Sequence, residues 1–180
     1  MGRIEIIGTS CSGKTTLARK LSQILHIPHI ELDTLFWRKN WQTEEREKFR
    51  QKVAKVIEQN KWIIDGNFSI VRDLVWARAD TIIWLDYPFH VIFLQALVRS
   101  IKRIVTREKL FAENVETFRQ TFLSKNSILY WICVSHFDYK KTYTRLLMNS
   151  EKEIIILRST REKDGLFQMI TSGKREYCGK

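Results

Sequence analysis

The sequence predicts an α/β fold of three layers: a five-stranded parallel sheet with helices on both faces and a short lid at one end. Three observations lead there. Five short, continuous apolar runs alternate with helical stretches, the pattern of a parallel sheet covered on both sides. A glycine loop joins the first run to the first helix. No internal repeat, low-complexity tract or Pro/Gly/Ser linker divides the chain, so residues 1–172 read as one domain, with an arginine-rich helix end and short lid at 99–119 and a flexible tail at 173–180.

The first strand is Ile4 to Ile7, followed by a helix from Thr16 to Leu25 whose Leu17, Leu21, Ile24 and Leu25 share one face. His29 to Leu32 reads as the second strand. Thr43 then caps a helix that opens on Glu44, Glu45 and Glu47, carries Phe49, Val53, Val56 and Ile57 on its apolar face, and ends near Asn60. Trp62 to Asp65 is the third strand. A shorter helix from Ser69 to Ala79 buries Ile70, Val71, Leu74 and Val75, and Thr81 to Asp86 forms the fourth strand, closed by Pro88. Val91 to Val105 reads as an amphipathic helix whose buried face is Val91, Leu94, Leu97, Val98, Ile101, Ile104 and Val105. After a polar break at 107–114, Val115 to Met148 is helical, with Phe118, Phe122, Tyr130, Trp131 and Phe137 expected in packing. Glu153 to Leu157 completes the sheet.

Composition narrows the function. The chain of 180 residues carries 31 Lys+Arg against 20 Asp+Glu, a formal charge of +11, and is 44% hydrophobic. The excess is uneven, net +3 over residues 1–90 and +8 over 91–180, and is densest at Arg99, Lys102, Arg103, Arg107 and Lys109. Such a run is either a solvated helix end or a clamp for phosphate. No apolar stretch approaches the ~18 residues of a membrane span and no signal-peptide core opens the chain, so the expected location is the cytoplasm. Cys11, Cys133 and Cys178 are too few and too scattered for a disulfide framework, no Cys/His set has zinc spacing, and His26, His29, His90 and His136 read as ordinary surface or core residues.

Only three glycines, Gly8, Gly13 and Gly66, lie between Arg3 and Asp164. Two belong to Gly8-Thr9-Ser10-Cys11-Ser12-Gly13-Lys14-Thr15, a full match to G-x-x-x-x-G-K-[ST] lying between a strand and a helix. Backbone N–H groups of such a P-loop, with the positive end of the helix after it, converge on one place and hold a polyphosphate. Gly8, Thr9, Ser10, Cys11, Ser12, Gly13, Lys14, Thr15 and Thr16 are therefore the expected ATP contacts. Lys14 would reach the β/γ-phosphates and Thr15 would offer its hydroxyl to Mg²⁺. Cys11 is either an activated thiol beside this positive nest or a tolerated loop residue. Gly66 follows Asp65 at the carboxyl end of a strand, where open α/β sheets bind ligands; Asp65 is a second magnesium residue or part of an ordinary Asp-Gly turn. The fold is thus expected to be that of the P-loop NTPases.

Further runs extend the match: Glu31-Leu32-Asp33-Thr34-Leu35-Phe36-Trp37, Trp62-Ile63-Ile64-Asp65-Gly66-Asn67-Phe68-Ser69, Ala79-Asp80-Thr81-Ile82-Ile83-Trp84-Leu85-Asp86-Tyr87-Pro88 and Ile155-Ile156-Leu157-Arg158-Ser159. Together they resemble the adenylate-kinase-like branch of P-loop phosphotransferases, and within it the small DNA topology modulation proteins. The resemblance implies that Asp65 aids Mg²⁺, and that Arg103 packs on the adenine while Arg107 contacts phosphates, as in the R-I-x-x-R at the entrance to a kinase lid. It adds Arg158 to the nucleotide-binding set and Arg119 as a further clamp. Glu31 and Asp33 resemble an acidic pair that serves Mg²⁺ and an acceptor hydroxyl; Asp33 reads equally as the N-cap of the next helix. Where adenylate kinases follow Asp-Gly with Phe-Pro-Arg, this chain has Asn67-Phe68-Ser69, and the nearest arginine is Arg72. The short lid, residues 107–114, would also admit water and allow slow ATP hydrolysis.

The resulting expectation is an ATP- and Mg²⁺-dependent kinase with Lys14, Asp33, Asp65, Arg103 and Arg107 as its catalytic set, Thr15 and Asp65 at the metal, and a small phosphate acceptor of unassigned identity. The rival is a nucleotide-gated ATPase or regulatory protein that touches nucleic acid, which the charge permits. Phe36, Trp37 and Trp41, with Arg38, either line an acceptor pocket or serve the core.

Overall fold

In the computed structural model, β-branched and apolar runs form β1 (Arg3–Gly8), β2 (His29–Glu31), β3 (Trp62–Asp65), β4 (Thr81–Leu85) and β5 (Glu153–Leu157). The structure describes residues 2–107, 110–114, 117, 121 and 127–172; Arg119, Phe118, Phe122, Lys109, Cys178 and the tail at 173–180 lie outside that set. All pairings are parallel and the strand order is β2-β3-β1-β4-β5. Parallel neighbours require crossover connections. These are supplied by α1 (Lys14–Leu25), α2 (Leu32–Phe36), α3 (Arg46–Ile57), α4 (Arg72–Arg78), α5 (Phe89–Thr106) and α6 (Ile128–Met148), with α7 (Thr160–Thr171) after the last strand.

Alternation along the strands divides the core. Ile4, Ile6, Ile63, Ile83 and Leu157 pack with Leu17 and Leu21 of α1, Ile92 and Ala96 of α5 and Leu166 of α7. The alternate residues turn the other way. Trp62 and Ile64 meet Phe49, Val53 and Ile57 of α3 and Val75 of α4, while Ile7, Ile82 and Trp84 meet Tyr143 and Leu147 of α6. Burying one such aliphatic side chain contributes about 1.5–3 kcal/mol. A carboxylate interrupts this second face: Glu5, 4% exposed in the middle of β1, has an Oε2 with no hydrogen-bond partner among the described residues. Burial lifts its pKa to about 8 against the opposing pull of Arg72 and Lys152.

The elements depart from expectation in instructive places. Leu32 starts α2 instead of ending β2, so Asp33 lies inside a helix whose N-cap is Glu31, and does not cap it. Thr43 caps nothing: it bridges Trp37, Glu45 is the N-cap of α3, and Glu44 is buried beneath Arg38 and Lys52 at 2.5 and 2.6 Å. The helix expected from Ser69 begins at Arg72, and the one expected from Val91 begins at Phe89 on Pro88. The continuous helix expected from Val115 is broken, because Ser127 is extended and caps α6 by accepting from Tyr130 N–H. Helix α7, which the strand and helix reading omits, starts on Ser159, whose hydroxyl accepts from Glu162 N–H at 3.2 Å.

The largest difference concerns α5. Its buried stripe is Ile92, Ala96 and Ser100, whereas Leu94, Val98, Ile101 and Val105 of the expected apolar face are about half to three-quarters exposed. Tyr130, Trp131 and Phe137 of α6 are likewise at least half exposed or nearly so. The buried stripe repeats every fourth residue, and the larger apolar side chains beside it are left outward.

Candidate active site

The glycine loop and Asp65 sit at the carboxyl edge of the sheet, where β1, between β3 and β4, feeds the loop into α1. Ligands of open α/β sheets bind at such a switch point. Gly8 has φ +150°, and a Cβ there would lie 2.8 Å from both Leu85 O and Ser12 Oγ, so only glycine lets the loop leave β1 this close to β4. Ser12 N–H closes the loop on Thr9 O at 3.1 Å. No side chain caps α1, whose N-cap Gly13 is left-handed, so the first-turn N–H groups form a positive nest.

Asn67, for which the sequence suggests no role, holds this loop from just beyond the end of β3: Gly8 N–H donates to Asn67 Oδ1 at 3.2 Å and Asn67 Nδ2 donates to Gly8 O. Thr9 Oγ1 lies 3.3 Å from His136 Nδ1 on α6. Ser10 and Cys11 form the half-buried crest of the loop, Cys11 at φ 67°, and Thr16 is exposed on the first turn of α1.

Lys14 folds back so that Nζ donates to Gly8 O and Thr9 O at 2.9 and 3.1 Å. Burial lowers its pKa, and the charges of Asp65 and then Asp33 oppose that shift. Thr15 Oγ1 donates to Asp65 Oδ2 at 2.6 Å and lies 3.2 Å from Glu31 Oε1. Asp65 Oδ1 accepts from His29 Nε2–H, also at 2.6 Å. Glu31 is raised in pKa by burial and by Asp65, and Arg19 stands 3.5 Å from its outer oxygen. Asp33 is raised by burial, with Lys14 and the Trp37 indole as counterweights; Trp37 Nε1–H donates to Asp33 Oδ1 at 2.9 Å. Two histidines read as ordinary, His29 and His136, thus touch residues of this edge.

The arginines divide. Arg99 is among the charges that act on both Lys14 and Asp33, and its buried Nε has no hydrogen-bond partner among the described residues. Arg103 and Arg107 lie one and two turns beyond it, roughly 6 and 12 Å along the axis, with Arg107 exposed as the left-handed C-cap of α5. Arg158 is exposed after β5; its Nε is 3.8 Å from Asp86 Oδ2, which also receives Lys140, and its N–H donates to Glu162. Asn114 meets the segment after α2: it accepts from Trp41 N–H at 3.0 Å and donates to Arg38 O at 2.9 Å. Trp37 and Trp41 meet edge to face at 5.6 Å, half-buried beside this contact rather than in the core.

No family model matches the chain, and no curated protein matches it in sequence. Solved structures do match. A shikimate kinase from Bacteroides thetaiotaomicron superposes with a TM-score of 0.62 at 17% identity, over 95% of this chain and 97% of that one. The fold is that of the small P-loop kinases. A shikimate kinase from Aquifex aeolicus shares it at TM-score 0.55 and 19% identity (95% and 94% covered), as does a gluconokinase from Sinorhizobium meliloti at 0.55 and 14% (96% and 90%).

In this P-loop kinase fold, the oxygen donors around Thr15 suit a magnesium ion. Mg²⁺ takes hard oxygen ligands, usually one or two carboxylates together with water and substrate phosphates. Thr15 Oγ1 and Asp65 Oδ2, 2.6 Å apart beside the glycine loop, match that donor set, with Glu31 next to them. Among the described residues no three His, Cys, Asp or Glu side chains form an all-protein metal cage. Among those residues, too, no helix is long and apolar enough to cross a membrane.

Proposed function

We propose that the protein transfers the γ-phosphoryl group of ATP to a hydroxyl on a small acceptor. The observation that carries this reading is the placement of Lys14, Thr15, Asp65 and Asp33 on one sheet edge, with Lys14 under the charges of both carboxylates. The loop amides and Lys14 would hold the β- and γ-phosphates once the nucleotide displaces Lys14 Nζ from Gly8 O and Thr9 O. Thr15 and Asp65 would hold magnesium, which would supply neutralisation of phosphate charge. Asp33, kept in place by the Trp37 indole, has its second oxygen available to accept a proton from the acceptor hydroxyl. Arg99 is nearest to the charge that develops in transfer, with Arg103 and Arg107 as the outer clamp and Arg158 near the base side of the nucleotide.

The aromatic wall of Phe36, Trp37 and Trp41 beneath the Asn114 contact supports an acceptor of small-metabolite size. We further place the chain in the DNA topology modulation branch of these proteins, on the motif order from Glu31 to Trp37, Trp62 to Ser69 and Ala79 to Pro88.

The test is equilibrium binding of ATP with Mg²⁺, followed by a transfer assay across nucleoside monophosphates, nucleosides and hydroxylated metabolites. Wild type should bind and Lys14→Ala should lose most of that binding. Equal binding by both removes the reading; binding without transfer to any acceptor above basal hydrolysis favours the nucleotide-gated alternative.

A further inference from the structure

The inference concerns His29 and rests on the kinase reading above. Alternation along β2 turns His29 and Glu31 to the α1 face and Ile30 to the α3 face. There His29 Nε2–H donates to Asp65 Oδ1 at 2.6 Å, while Oδ2 of the same carboxylate accepts from Thr15 Oγ1 at 2.6 Å. The two side chains are 13% and 2% exposed, so water is not at hand to replace the imidazole donor. The bond is not needed to join the strands. Backbone register already pairs His29 with Ile63 and Glu31 with Asp65, and the side-chain bond runs diagonally across that ladder.

We propose that His29 is a positioning residue for Asp65, holding one carboxylate oxygen so that only the other faces Thr15 and the magnesium of the bound nucleotide. A carboxylate free to rotate presents either oxygen, or both, and with Glu31 crowding the same hydroxyl it would also turn toward Thr15 in competing geometries. A donor fixed behind a metal-binding carboxylate removes those alternatives. Loss of such an outer partner ordinarily costs about 10–100-fold in metal affinity or activity.

The test compares His29→Phe, which keeps ring volume without a donor, with His29→Gln, whose amide N–H reaches a similar distance. Mn²⁺ binding to the protein–ATP complex is read by loss of the free-ion paramagnetic resonance signal, and metal-free ATP binding is read separately. The Mn²⁺ dissociation constant should rise about 10–100-fold in His29→Phe and recover most of that in His29→Gln, with metal-free ATP affinity unchanged in both. Wild-type Mn²⁺ affinity in His29→Phe, or an equal loss in both variants, overturns the proposal. A parallel loss of metal-free ATP affinity overturns it as well, because the damage would then be general. Should His29→Phe fail to fold, His29→Leu takes its place. Absence of any Mn²⁺–ATP binding by wild type instead removes the kinase reading, and the role of His29 falls with it.

Discussion

Thr15 Oγ1 and Asp65 Oδ2, fifty residues apart in the chain, meet at 2.6 Å and join the first turn of α1 to the end of β3. The contact exists because β1 and β3 are adjacent parallel strands, with Ile6 in register with Asp65, so the loop after one passes beside the end of the other. If both groups serve one ion, they act as a unit. Thr15→Val and Asp65→Asn should each raise the Mg²⁺ needed for half-maximal turnover by about tenfold or more, and the double variant should cost less than the product of the two. A Mg²⁺ titration of all four proteins checks this; strict multiplication would separate the roles.

Asp33 should trade stability for activity. Its folded pKa is raised, chiefly by burial, so its contribution to stability is present at low pH and is lost as pH rises through that folded pKa. Asp33→Asn is uncharged, and should be more stable than wild type at pH 7 in urea denaturation. Turnover should nonetheless fall about 10²- to 10⁴-fold if Asp33 accepts the acceptor's proton. In wild type the acid limb of the rate profile should lie above the usual aspartate range, since activity falls as this carboxylate is protonated.

Gly66 should resist substitution. It has φ +144°, and a Cβ would sit 2.8 Å from Leu32 Cβ at the start of α2. Gly66→Ala therefore combines backbone strain with overpacking, an expected loss of about 2–4 kcal/mol by denaturant titration. Adding Leu32→Ala should relieve the clash and leave the strain, while creating a cavity of its own. A Gly66→Ala protein as stable as wild type would contradict the geometry.

Glu5 makes stability depend on pH. With a folded pKa of about 8 against an ordinary value near 4.5, the folded state holds a proton that the unfolded chain releases, so stability falls as pH rises between those values. Glu5→Gln lacks that loss. Its melting temperature relative to wild type should climb from pH 5 to pH 8 and then level off, and a difference that stayed flat would remove the buried-charge explanation.

Local chemistry was enough for the parts of this protein that depend on neighbours in the chain. Five strands were readable because continuous apolar runs bounded by breakers have few other solutions, and the glycine loop between β1 and α1 because Gly8, Gly13, Lys14 and Thr15 are spaced by the shape of one turn. Even the omitted α7 left a local trace in the Ser159-Thr160-Arg161-Glu162 cap. Other features were settled only when distant segments met. Leu94, Val98, Ile101 and Val105 of the expected apolar face of α5 pointed outward because the helix buried the stripe through Ile92, Ala96 and Ser100, and a hydrophobic pattern does not show which way a helix is rotated against its neighbours. Thr43 lost its cap to a bridge with Trp37, and Glu44 went inward because Arg38 and Lys52 arrived to neutralise it. His29, Asn67 and His136 gained their contacts from strand order and helix crossing, neither of which leaves a mark in residue spacing. Hydrogen bonding and burial act through space, so the sequence marked the glycine loop and the carboxylates at the strand ends, and the packed sheet chose what stands behind them.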